Sequence, residues 1–89
     1  MKIAKVIGTV VATQKDERLA GAKLLVVRDV DLDTGQLSGA PTVAIDTVGA
    51  GVGATVLVVG GSSARLTERT RNAPVDAAII GIVDTIEKA

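Results

Sequence analysis

The chain has no Cys, His, Phe, Trp or Tyr, and only two prolines in 89 residues. Each absence removes a class of function. Without thiols or imidazoles there is no soft-metal ligand set, and neither a thiolate nucleophile nor the usual base near neutral pH is available. No disulfide can staple a small core. Without aromatic rings there is no stacking platform for bases, and the core must be aliphatic. Ten basic and ten acidic residues cancel, so no net field draws the chain to nucleic acid or to an anionic membrane. Apolar runs extend over a handful of residues only, and Met1-Lys2 leads straight into a strand pattern. The expectation is therefore a cytoplasmic protein without membrane span or secretory leader.

What remains is 47% hydrophobic residues and ten glycines, a composition for one domain spanning 1–89 with a core close to the smallest that folds unaided. Lys2 to Thr13, rich in β-branched residues, predicts a first strand, with Gly8 marking a bulge or bend. A polar loop over 14–21 precedes a second strand, Ala22 to Val30. Pro41 to Asp46 predicts a third strand, with proline first, where its missing N–H is tolerated. Ala54 to Val59 predicts the fourth. Ser62 to Thr70 predicts a short helix, with a serine as N-cap and Arg65, Glu68 and Arg71 as surface neighbours. Val75 to Ile86 predicts a fifth strand bent at Gly81. Together these define an all-β class with one short helix: a small, five-stranded, antiparallel barrel resembling the oligonucleotide-binding fold.

The densest signal is Asp46 to Arg65, which holds five of the ten glycines. Gly49-Ala50-Gly51-Val52-Gly53 turns the chain between two strands. Three glycines exceed what a tight hairpin needs, so some of them are expected to admit a close approach from outside, by another subunit or a ligand phosphate. A dinucleotide site would need different glycine spacing and a following helix, whereas a strand follows here. Gly60 to Arg65 could hold an anion on backbone N–H groups and two hydroxyls, but a plain cap explains it as well. Asp29 to Gly35 imitates a calcium loop, with glycine one place late and Ala40 where the bidentate acid belongs, and reads as a solvated turn.

Alternation places Leu24, Val26 and Val30 on one face of the second strand and Leu25 and Val27 on the other. In the last strand Ile79 and Val83 oppose Ile80, Ile82 and Ile86. A small barrel needs one apolar face, so the second is expected to meet another subunit.

The segments KVIGTVVAT, LAGAKLLVV, VAIDTVGAGVG, VLVVGGSSAR and PVDAAIIGIVD, in that order, resemble the vertex proteins of bacterial microcompartments, the EutN/CcmL family, over nearly the whole chain. The resemblance implies a five-stranded barrel assembling as a homopentamer. That ring would cap the five-fold corners of the protein shell around carboxysomes and metabolosomes, beside hexameric and pseudohexameric tiles. It implies no enzymatic activity, cofactor, metal, nucleic acid or membrane partner. Gly49, Ala50, Gly51 and Gly53 match the family's glycine turn, and Gly61, Ser62, Ser63, Ala64 and Arg65 match its second motif. Ala54 stands where the family commonly has Glu. The assembly candidates are Gly49, Ala50, Gly51, Gly53, Gly61, Ser62, Ser63 and Arg65, with Arg65 expected to contact a carboxylate, Asp46 or Asp76, or else helix-end or loop carbonyls, within the chain or across the subunit boundary. The competing readings are a nucleic-acid-binding barrel and a small anion-binding domain.

Overall fold

The computed structural model describes residues 1–13 and 15–88; Gln14, the first residue of the predicted polar loop, lies outside the described residues. Five strands are formed: β1 (Lys2–Val10), β2 (Lys23–Val30), β3 (Leu37–Asp46), β4 (Thr55–Gly60) and β5 (Ala77–Ile82). They close into a barrel in the order β1-β2-β3-β5-β4. Four seams are antiparallel, and β3 with β5 is parallel. The parallel seam is short, pairing only Ile45 with Ala78 and Asp46 with Ile79. The Ile79 carbonyl lengthens it by accepting from both the backbone N–H (3.2 Å) and the hydroxyl (2.7 Å) of Thr47.

Curvature comes from three irregularities. In β1 the register jumps between Val6 and Gly8, so Ile7 is the extra residue and Gly8 lies at the predicted bulge. In β5 it jumps opposite Leu57 and Val58, leaving Ile80 unpaired beside Gly81. A side chain added at Gly81 would stand 3.2 Å from the Leu57 side chain. The third lies where Arg28 of β2 faces Gly39, Ala40 and Pro41 of β3, between the pairs Val27–Thr42 and Asp29–Ser38. Arg28 Nε donates to the Gly39 carbonyl at 2.7 Å and holds this bulge. Pro41 therefore sits inside β3, not at its start, at a position where no ladder N–H is required.

Two further expectations are corrected. The segment predicted as a helix over 62–70 forms only a 3-10 turn, Gly61–Arg65, with no side-chain cap at Gly60. Beyond it the Thr67 hydroxyl captures the Thr70 N–H at 3.0 Å, the local competition by which threonine unseats a helix. The last strand stops at Ile82. Val83 still donates to the Thr55 carbonyl at 2.8 Å, after which the chain leaves the sheet.

The interior is filled by Ala4, Val6, Leu25, Val27, Ala44, Val56, Val58, Ala77 and Ile79, with Ala50 closing one end. Alternating alanine with larger aliphatics fits the narrow bore of five strands. A second cluster lies outside the wall: Ile45, Val59, Ala64 and Ala78, packed against Leu19, Leu24, Val75 and Ile80. Here the chain covers its own barrel with the 60–75 segment and the loop before β2.

Candidate assembly surfaces

The glycine turn is built on the ends of β3 and β4 and tied from three sides. Gly49 and Gly53 have φ of +82° and +93°, a region that side chains with a Cβ rarely enter. Gly53 N–H donates to the Val6 carbonyl at 2.8 Å, and Val6 N–H to the Ala54 carbonyl at 2.9 Å. Ala50 is buried, 1% exposed, and its carbonyl accepts from Lys23 Nζ. Lys23 and Asp46 are direct partners across β2 and β3. The Asp46 side chain is only 3% exposed and lies 3.9 Å from the Lys23 ammonium, while its Oδ1 accepts from Val48 N–H at 3.1 Å. Lys23 thus links the entry of the turn, through its ion pair with Asp46, to the middle, through its hydrogen bond to Ala50. Asp46 does not reach Arg65 within the chain, so the predicted pair is not made there.

Gly51 differs from its neighbours. It does not have positive φ, and a Cβ there would meet nothing within 4 Å. Nothing inside the protomer requires glycine at this exposed position.

The second motif gathers Gly61, Ser62, Ser63, Arg65 and Asp76 at one place. Gly61 (φ +59°) donates its N–H to the Asp76 carbonyl at 2.9 Å. Arg65 Nη1 donates to the Val75 carbonyl at 3.3 Å. Asp76 therefore contributes its backbone, and Arg65 finds a loop carbonyl where a carboxylate was one alternative. Ser62 and Ser63 are exposed.

Sequence reasoning missed the role of Lys23, which becomes visible only when the β2–β3 register sets it opposite Asp46. It also missed two clamps. Arg69 donates at 3.4 Å to the carbonyls of Arg18 and Ala20, and Arg18 donates at 3.2 Å to that of Asn72. These bonds hold the 3-10 turn Glu17–Leu19 to the segment after Arg65. Beside it, Arg18 accounts for most of the lowering of the Asp16 carboxyl from 3.8 to about 2, by a side-chain hydrogen bond. The calcium-like stretch is a turn: Asp31 Oδ1 accepts from the N–H groups of Asp33 (2.7 Å) and Thr34 (3.1 Å), which lowers its pKa.

The outer wall leaves two apolar grooves uncovered. One runs across β1, β4 and the final segment, lined by Ile3, Leu57, Ile82, Val83 and Ile86. The other has Leu24, Val43, Ile45, Pro74 and Val75 around it. Ile82, Ile86 and Val43 are 46%, 45% and 46% exposed. A third depression, lined by Thr47, Thr67, Glu68 and Arg69, is polar.

An aliphatic barrel with stiffened loops and apolar outer grooves defines a small structural module suited to self-association. The particular family follows from comparison with known proteins: residues 1–84 match the family described as "Ethanolamine utilisation protein EutN/carboxysome", and the chain belongs to it. It is 52% identical over 90 residues to the bacterial microcompartment shell vertex protein PduN of Salmonella typhimurium, covering 97% of this chain and 98% of the relative. The solved structure of CcmL from Nostoc sp. superposes with a TM-score of 0.91 at 50% identity, covering 97% of this chain and 90% of that one. GrpN from Rhodospirillum rubrum, described as a pentameric microcompartment shell protein, superposes with a TM-score of 0.86 at 48% identity, over 100% and 99% of the two chains.

Proposed function

We propose that this protein is a structural component of a bacterial microcompartment shell, assembling as a homopentamer that caps the five-fold vertices. The observation that carries this is the full-length likeness to shell vertex proteins, including a pentameric one of almost the same length. The architecture supports it physically. A ring repeats one heterologous contact until it closes, and a barrel with apolar grooves on its outer wall has surface to bury in such a contact. A shell tiled by six-fold units needs five-fold positions to curve shut, so the partners are hexameric and pseudohexameric tiles. The role is geometric: the protein works by shape, as a minor component beside the tiles, without catalysis and without a nucleic-acid ligand.

The test is co-expression of such tiles with and without this chain, followed by electron microscopy and leakage of an encapsulated reporter. Closed, tight shells are expected only with the chain present. Equally closed and equally tight shells in its absence, with no second vertex protein, would contradict the proposal.

A further inference from the structure

We propose that residues 83–88 form a strap beside the β1–β4 seam, latched by the ion pair between Lys88 and Asp33 and released by salt. The family match ends at residue 84, so most of the strap lies beyond it.

The strap begins where β5 ends. Val83 N–H donates to the Thr55 carbonyl at 2.8 Å, and among the described residues 83–88 make no other backbone–backbone hydrogen bond. The next fixed point is Lys88, whose Nζ stands 3.1 Å from Asp33 Oδ1. Between these two points the strap and the wall line one apolar depression. Ile3 and Leu57, partners across β1 and β4, line it from the wall, and Val83 to Ile86 line it from the strap.

The two sides of the latch are built unequally. The turn carrying Asp33 is tied throughout: Gly35 N–H donates to the Asp31 carbonyl at 2.8 Å and Asp31 N–H to the Gln36 carbonyl at 2.9 Å. Asp31 Oδ1 accepts from the N–H groups of Asp33 and Thr34, which leaves the Asp33 carboxylate for an ammonium. Lys2 on β1 is engaged by Asp29 at 3.1 Å. On the strap, Asp84 and Glu87 make no ion pair among the described residues, so Lys88 is its one charged anchor.

That anchor is weak. The Lys88 and Asp33 side chains are 52% and 89% exposed, and salt screens a pair so placed. The half-exposed Ile86 adds a modest apolar contribution. Against both stands the conformational freedom lost in ordering the strap. Closed and open forms are therefore close in free energy, and removal of the Lys88–Asp33 attraction, by salt or by loss of the lysine charge, shifts the population to the open form. Ile3 and Leu57 then face solvent.

The test is NMR on the full chain, reading amide heteronuclear NOEs of 84–88 and the methyl resonances of Ile3 and Leu57. At low salt the NOEs are expected to stand near those of the strands. In about 1 M NaCl, and in Lys88→Gln at either salt, they should fall by half or more, with both methyl resonances moving to the same new positions. The charge exchange Asp33→Lys with Lys88→Asp should restore the low-salt values. A strap equally ordered in Lys88→Gln, or one already freely moving in the unmodified chain at low salt, would overturn the proposal. Failure of the charge exchange to restore order would also overturn it.

Discussion

The inner and outer walls of this barrel are made of the same aliphatic residues and meet different fates. Leu25, Val27 and Ile79 point inward and are buried within one protomer. Leu57, Val43 and Ile82 point outward and stay half-buried or exposed, except where the 60–75 segment lies over the wall and covers Ile45, Val59 and Ala78. The inner wall therefore explains why one chain folds, and the bare part of the outer wall is the apolar surface left over for the proposed assembly. The glycine turn repeats this division within a few residues: Gly49 and Gly53 are required by backbone conformation, and Gly51 by nothing within the protomer.

The contrast is most strongly tested inside the barrel. Leu25→Ala should cost about 2–5 kcal/mol in chemical unfolding, a large part of a small domain's stability, whereas Val43→Ala should leave the stability of the protomer nearly unchanged and weaken the ring on dilution. Equal losses of protomer stability for the two variants would erase the distinction between the walls.

Next come the turn glycines. Gly49→Val and Gly53→Val force a β-branched residue into positive φ and should each destabilise by about 1–3 kcal/mol. Gly51→Val should leave the protomer's unfolding unchanged, and any effect should appear only in assembly, measured by native mass. A loss of protomer stability from Gly51→Val equal to the other two would refute the division.

A smaller effect is expected at Lys23. Its ammonium is half exposed, so solvent screens part of the pairing, but Lys23→Met removes the donor to Ala50 and leaves the buried Asp46 carboxylate with only the Val48 N–H. A loss of about 1–2 kcal/mol is expected, partly relieved in the double variant with Asp46→Asn. Strict additivity of the two substitutions would deny that they form one unit.

The smallest effect concerns pH. Folding lowers the Asp16 carboxyl from 3.8 to about 2, so its contribution to stability is complete above pH 3.8 and is lost as pH falls towards 2. In Arg18→Ala the Asp16 titration followed by NMR should move back up towards 3.8. An unmoved midpoint would show that Arg18 is not its cause.

Much of the fold was legible because strand alternation and glycine positions are local. The Gly8 bulge, the turn at 49–53 and the two-sided apolar pattern of β2 all follow from neighbouring residues. The helix failed because Thr67 and Thr70 bond to each other and to the backbone, a competition that spacing alone does not reveal. The length of β3 escaped because its first residues are held by a wide bulge against Arg28, a tertiary arrangement. The fold gathers the candidate residues at two places, and the contacts expected among them are only partly made within the protomer. Arg65 and Asp76 share a neighbourhood through the Val75 and Asp76 carbonyls, and the true partner of Asp46, Lys23, lies 23 positions away across the sheet.

The central claim is that the bare outer wall is satisfied by identical copies in a ring. Native mass spectrometry of the purified chain at micromolar concentration tests it most directly. The predicted result is a dominant species of five copies that gives way to folded monomer when the outer wall is charged by Val43→Glu or Ile82→Glu. A dominant monomer, dimer or hexamer of the unmodified chain would contradict it.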